Sequence, residues 1–277
     1  MRTMTRLVAL TFVLLAPSAM ARAEVVNCTN IATLPFTVTS PGIYCFNASL
    51  AFPAASGIAI NIASDDVVLD LNGHVLDGSA AGPTTTTYGI LALDRTNVTV
   101  RNGTVRGFYI GVQLGGRSPQ NNIAEDMRVD LSTTYGLVVR GQGSIARRNL
   151  VTRTGGATKL AIGLYGLGDG VHVVDNEVVG TLEGTDGEAM GIRIDSGTGA
   201  VVERNVVSNA TYGPGSSYGI RLSQSSPQVT IATNRIVNFR NGIFFTFGGS
   251  GLYRDNTVGG ALVPFTGGTA GSANNTF

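Results

Sequence analysis

The 277-residue sequence has no tryptophan, two histidines, two cysteines and a single lysine, and only 13% of its residues are charged. The scarcity of charge does not signal a disordered chain, because 43% of the residues are hydrophobic and supply ample surface to bury. No segment beyond the first twenty residues carries an apolar stripe at helical spacing, which excludes a helical architecture. Long apolar runs are also missing apart from Leu7–Ala16, so no membrane span is expected in the body of the chain. What is abundant is Gly, with 38 residues, together with Thr, Val, Ile and Asn, a composition that favours strands and turns. The expectation is an all-β fold in one elongated unit.

The apolar run belongs to a leader. Arg2 and Arg6 precede it, small residues follow, and two A-x-A sites end at Ala21 and Ala23. Residues 1–23 therefore read as a signal peptide cleaved before Glu24, the rival reading being a retained anchor too short to span comfortably. Cleavage leaves 16 basic against 18 acidic groups, a net charge near −2, so a nucleic-acid partner is not expected. Fifteen of those cations are Arg and one is Lys159, a bias that suits bidentate contacts to acidic sugars and equally suits salt bridges between neighbouring strands. Cys28 and Cys45 follow the leader and, in an exported chain, are expected to form a disulfide worth about 3 kcal/mol, with free thiols or a metal pair as alternatives.

The strongest signal is a repeat. A Gly followed by alternating apolar residues recurs eight times, among them "GILA" at 89, "GLVV" at 136, "GIRI" at 191 and "GIRL" at 219. Each is followed thirteen to fifteen residues later by Asn, at 72, 102, 149, 176, 205, 234 and 256, with Asp126 standing in once. The full period varies from 22 to 32 residues, so the strand-bearing part is constant and the connection after it is not. Such a pattern describes a coil whose short strands stack on those of the next turn, about 4.8 Å apart. The Asn residues are expected to occupy left-handed bends and to stack as an internal amide ladder.

The segments "SDDVVLDLNGHVLDG" at 64–78 and "NVTVRNGTVRGF" at 97–108, with the Gly and Asn repeats, resemble right-handed parallel β-helix repeat proteins of the pectate-lyase-like superfamily. The resemblance implies a single-stranded right-handed parallel β-helix of about eight turns over residues 51–260. Residues 24–50 would form an N-terminal cap holding the disulfide, and 261–277 an irregular tail whose Phe265 covers the last turn. It also implies a secreted or periplasmic protein directed at polysaccharide, a class that includes lyases, epimerases, hydrolases and non-catalytic members.

Site residues follow from the alternation. The outward column is read as Ala59, Leu91, Gln113, Val138, Tyr165, Arg193, Arg221 and Phe244, with Arg140 and Asp195 one step further along. Long connections at 152–162, 180–190 and 208–218 would wall a groove over its middle. There Tyr165 would stack a sugar ring and Arg140, Arg193 and Arg221 would pair with carboxylates, beside Asp195. As a lyase the protein would use Arg193, Arg221 or Lys159 as base and charge stabiliser. As a hydrolase it would need Asp195 to face Glu183, Asp186 or Glu188. No metal or other cofactor is expected; Asp65 and Asp66 offer calcium two adjacent carboxylates and no further ligand set. The contrasting function is a structural or adhesive rod with no ligand at all.

Overall fold

The computed structural model describes residues 27–116, 119–156, 159–184, 186–195, 197–213, 215–222, 227–246, 250–271 and 273–277; the leader lies outside them. Among the described residues there is no α-helix and no helix long and apolar enough to cross a membrane. All the strand ladders are parallel, and each strand pairs with its counterparts one lap before and one lap after. The chain therefore winds as a three-sided solenoid. Its front side is a ten-stranded sheet, while the second and third sides are joined into one 19-stranded sheet by the strands Val98–Arg106 and Ile123–Asp130, which run around a corner.

The eight Gly-led units are the eight central front strands, from Ile58–Ile62 to Asn241–Phe245. The cap adds Phe36–Val38 before them and the tail adds Val263–Thr266 after them. The tail also supplies Thr269–Ala270 and Asn275–Thr276 to the other two sides, so it continues the coil for another lap. Phe265 does close the interior there, its ring stacked at 5.0 Å on Tyr253. Ten front strands at about 4.8 Å spacing make a rod roughly 43 Å long.

Apolar files from all three sides fill the interior, two of them from the front. Ile90, Val112, Leu137, Leu164, Ile192 and Ile220 are in register on the front, and Leu76, Val105, Val129, Val151, Val178 and Val207 on the third side, all fully buried. Repeated β-branched and Leu side chains stacked like on like suit this geometry, since a parallel ladder brings equivalent positions together. The conserved spacing also explains the glycines. A Cβ on Gly136 would lie 2.5 Å from the Gly163 carbonyl oxygen, and one on Gly163 2.8 Å from that of Gly191. From Gly89 onward each of these glycines sits against the backbone of the next lap, where no side chain fits.

Most corners turn on a residue in the left-handed region. At the corner between the second and third sides these are Asn72, Asn102, Asp126, Arg148, Asp175, Arg204, Thr233 and Asp255, with φ between +48° and +58°. This separates two roles that the sequence merges. Asn72, Asn102 and Asp126 are exposed bend residues, whereas the later asparagines follow the bend residue and point inward. The amide ladder therefore starts at Asn149, and Met127 holds the corresponding place one lap earlier. Along it Asn149, Asn176, Asn205 and Asn234 each donate Nδ2–H to Oδ1 of the next asparagine at 2.9–3.0 Å, and Asn256 passes the ladder on to Asn274 Oδ1 at 3.3 Å. The same Oδ1 accepts the backbone N–H of the preceding asparagine, and the other Nδ2–H goes to a carbonyl of the lap before. The ladder satisfies backbone groups that a one-residue bend would otherwise leave buried and unpaired.

Two further expectations change. Ile60 pairs with Ile90, which places Ala59 inside and gives its place in the outward column to Asn61. The first Gly-led unit is offset by two residues because Gly57, not Ala59, carries its glycine. The long connections are also shorter than read: the strands Leu150–Gly155, Leu160–Leu167, Glu177–Leu182, Glu188–Asp195 and Ser216–Leu222 absorb much of them. At the N-terminal end Cys28 and Cys45 form the disulfide, with Cα atoms 5.8 Å apart.

Candidate functional site

The front face carries two outward files. One is the column read from the sequence, running Asn61, Leu91, Gln113, Val138, Tyr165, Arg193, Arg221 and Phe244. The other consists of the residue before each glycine and includes Tyr88, Ile110, Tyr135, Ile162, Met190 and Tyr218. With Tyr109, and with Tyr165 and Val138 of the first file, these side chains form a second apolar layer outside the rod's core, containing five of the chain's eight tyrosines. Sequence reasoning passed over this file, although its signal was present as the dipeptide Tyr-Gly at 88, 135 and 218.

The structure brings Arg140, Tyr165, Arg193 and Asp195 together, across three laps. Arg193 donates to both oxygens of Asp195, Nε to Oδ1 at 3.0 Å and Nη2 to Oδ2 at 2.6 Å. Tyr165 donates its hydroxyl to Asp195 Oδ2 at 2.8 Å. The guanidinium carbons of Arg140 and Arg193 each lie 5.3 Å from the centroid of the Tyr165 ring, and Tyr135 stacks beside it at 6.2 Å. Tyr165 is 9% exposed, so its ring is a packed element between two cations and not an open platform.

Arg221 stands one lap beyond Arg193. It donates Nη1–H to Glu188 Oε2 at 2.9 Å and lies 4.8 Å over the Tyr218 ring, which meets Phe244 edge-on at 5.1 Å. The other carboxylates considered with Asp195 have separate surroundings. Glu188 is committed to Arg221, and Glu183 accepts the Gly215 backbone N–H at 3.0 Å. Asp186 is an exposed bend residue at φ +56°.

The electrostatics follow from this packing. Burial pushes the Tyr165 phenol well above its ordinary range, and the neighbouring Asp195 carboxylate adds to the effect. Burial also raises Tyr135. For Arg193 burial favours the neutral form, but the hydrogen bonds and charge of Asp195 outweigh it and raise the guanidinium further. Arg193 is accordingly a permanent cation and Tyr165 a permanent neutral donor.

Elsewhere on the rod arginines mostly tie one lap to the next. Asp70–Arg101, Asp77–Arg106, Glu125–Arg147, Asp126–Arg148 and Asp175–Arg204 are such pairs. Asp65 and Asp66 serve a corner, accepting from the Thr96 backbone N–H and the Asn97 amide. Among the described residues no group of three or more His, Cys, Asp or Glu side chains is arranged to hold a metal ion.

Comparison with known proteins matches this architecture. Among solved structures it is similar to a tailspike protein, Dettilon tailspike, with TM-score 0.55 and 12% identity, and to pectate lyase Pel9A, with TM-score 0.52 and 13% identity. The chain is covered to 90% and 81% in these comparisons, and spans 58% of the tailspike chain and 62% of the lyase chain. No curated protein matches it. The family model described as the right handed beta helix region matches residues 42–263. That match takes in nearly all of the coiled body, its glycine file and its amide ladder, and the chain belongs to the right-handed β-helix family.

Proposed function

We propose that this is an exported carbohydrate-binding β-helix whose front face holds an extended acidic polysaccharide. The observation that carries the reading is the juxtaposition on one face of Arg140, Arg193 and Arg221 with the outer tyrosine file, over four consecutive laps. Guanidinium groups held rigid by packing can meet carboxylates in a fixed geometry, and partly buried aromatic rings offer C–H-rich sugars an apolar surface. The Cys28–Cys45 disulfide and the leader-like first 23 residues support export. The resemblance to a tailspike and a pectate lyase supports the polysaccharide class by analogy.

Within this reading Arg193 binds and is not a catalytic base. A β-elimination requires a base, and Arg193, doubly bonded to Asp195 and raised by it, does not release a proton near neutral pH. Its part is to neutralise a sugar carboxylate. Asp195 holds Arg193 and Tyr165 in place, and Glu188 does the same for Arg221.

The test is a binding screen of the purified chain against polyuronates and neutral glycans, with unsaturated products followed in parallel. Polyuronate binding is expected, falling about tenfold in Arg193→Ala and weakening as salt screens the face. Absence of polyuronate binding would refute the reading, and release of unsaturated products would refute the non-catalytic part. The competing reading, a structural rod, draws on the fact that Arg193 and Arg221 already have carboxylate partners of their own; it predicts no glycan binding at all.

A further inference from the structure

The corner between the third side and the front is uneven. Residues 78–87 form a long excursion containing a single 3₁₀ turn at Ser79–Ala81, whereas the next two laps turn quickly through 107–109 and 131–134. The excursion overhangs these short corners and leaves a hollow of about 570 Å³ lined by Pro83, Thr84, Thr85, Thr86, Tyr109, Thr133 and Gly156. A smaller hollow of about 220 Å³ adjoins it, sharing Pro83 and Thr133 and adding Leu131 and Arg153. Their combined size falls in the range that accommodates a small organic ligand.

The chemistry of the lining is specific. The larger hollow carries no charged side chain, in contrast to the arginine cluster on the same rod. Arg153 in the smaller one is bound by Asp130. Thr86 Oγ1 donates to the Ala55 carbonyl at 3.3 Å, which leaves its oxygen able to accept, and Thr84 and Thr86 are both exposed residues. Tyr109 presents a half-buried ring, braced edge-on by Tyr88 at 6.4 Å. Leu131 projects from a left-handed backbone, φ +54°, with its side chain 40% exposed into the smaller hollow. A leucine in that conformation carries local strain that glycine would relieve, so its retention presents an apolar surface at a cost.

We infer that this hollow binds a neutral pyranose ring, with its C–H face on Tyr109 and Leu131 and its hydroxyls on the threonines. A charged sugar would find no counter-ion in the larger hollow and would lose hydration on entry. A neutral ring, apolar on one face and hydroxylated at its rim, matches both halves of the lining. The inference goes beyond the acidic-glycan reading of the front face: Tyr109 borders that face's outer tyrosine layer, but Leu131 and the threonines lie apart from the arginine cluster.

Saturation-transfer NMR on the purified chain, with neutral glucose-, galactose-, mannose- and xylose-containing oligosaccharides as probes, tests it. Transfer to ring C–H protons of at least one probe is expected, with affinity about tenfold weaker in Tyr109→Ala. Leu131→Gly keeps the fold, because it relieves the left-handed strain, and weakens binding several-fold while leaving polyuronate binding unchanged. No transfer to any neutral probe would overturn the inference, as would transfer undiminished in both variants. Neutral binding without polyuronate binding would support this site and refute the arginine-face reading; the converse would do the reverse.

Discussion

Replacing Asn205 by alanine removes one rung from the middle of the amide ladder. In the intact chain Asn205 Oδ1 accepts from the backbone N–H and the Nδ2 of Asn176, at 2.9 and 3.0 Å. Its Nδ2 donates to the Val173 carbonyl at 2.8 Å and to Asn234 Oδ1 at 2.9 Å. The site is 1% exposed, so water does not replace these bonds without opening the coil. The substitution takes the Oδ1 acceptor from the Asn176 N–H and the Nδ2 donor from the Val173 carbonyl. At about 1–3 kcal/mol for each buried group deprived of its partner, the loss comes to roughly 2–6 kcal/mol. For a chain of this size that lowers Tm by on the order of 5–15 °C. Urea and thermal unfolding followed by far-UV circular dichroism read it, with Asn275→Ala, exposed in the last lap, as the comparison. Asn205→Asp adds a diagnostic: it keeps the acceptors but turns a carboxylate toward Asn234 Oδ1 and Val173. Buried, that carboxylate's pKa is raised in the folded state, so the variant's deficit grows as pH rises through it. An Asn205→Ala variant within about 0.5 kcal/mol of the parent would refute the idea that the ladder holds the bend.

Gly163→Ala places a methyl 2.4 Å from Val178 Cγ1 and 2.8 Å from the Gly191 carbonyl oxygen, and is expected to cost about 1–3 kcal/mol or more in chemical denaturation. Gly199→Ala meets no atom within 4 Å but sits at φ +70°, and should cost only about 1 kcal/mol. Removing the disulfide in Cys28→Ser/Cys45→Ser should cost about 3 kcal/mol, seen as faster amide exchange in strands 29–30 and 42–45 before the middle of the rod changes. Hydrogen bonding from Arg106 holds the Asp77 carboxyl down to about 2, and Asp126 and Asp175 are lowered by Arg148 and Arg204. Because these folded-state values lie below the unfolded ones, the stability they contribute is fully present above about pH 5 and is lost as pH falls through about 4 toward 2. A urea midpoint that stays constant over that acid range would contradict these pairings.

The solenoid was legible because its constraint is local and repeated. Glycine at 89, 136, 163 and 191 is required wherever one lap's backbone meets the next, so it returns in every lap and announces the period. The inward and outward residues around Arg193 follow directly from strand alternation, and Ile192 and Ile194 are indeed fully buried. Legibility failed where one residue type serves two positions. Asn102 at the bend and Asn149 in the ladder look alike in sequence, although φ is positive for the first and for Arg148 before the second. The candidate site was legible as a column but not as a network. Nothing in the spacing of Tyr165, Arg193 and Asp195 says that two guanidinium groups enclose the ring and that its hydroxyl is already spent on a carboxylate. Such pairings depend on which laps become neighbours, and connections of variable length hide that from a linear reading.

Stacking glycine α-carbons directly on the next lap's carbonyl makes the length of this molecule a quantised property. A complete circuit of 22 to 32 residues can be duplicated or excised, and the laps above and below will find the same mating surface. A single residue inserted within a strand offers no such repair, since it turns every following side chain of that strand inside out. Variation between relatives of this chain is therefore expected to come as whole circuits and as swollen corners, such as the excursion at 78–87, while the strands keep their count.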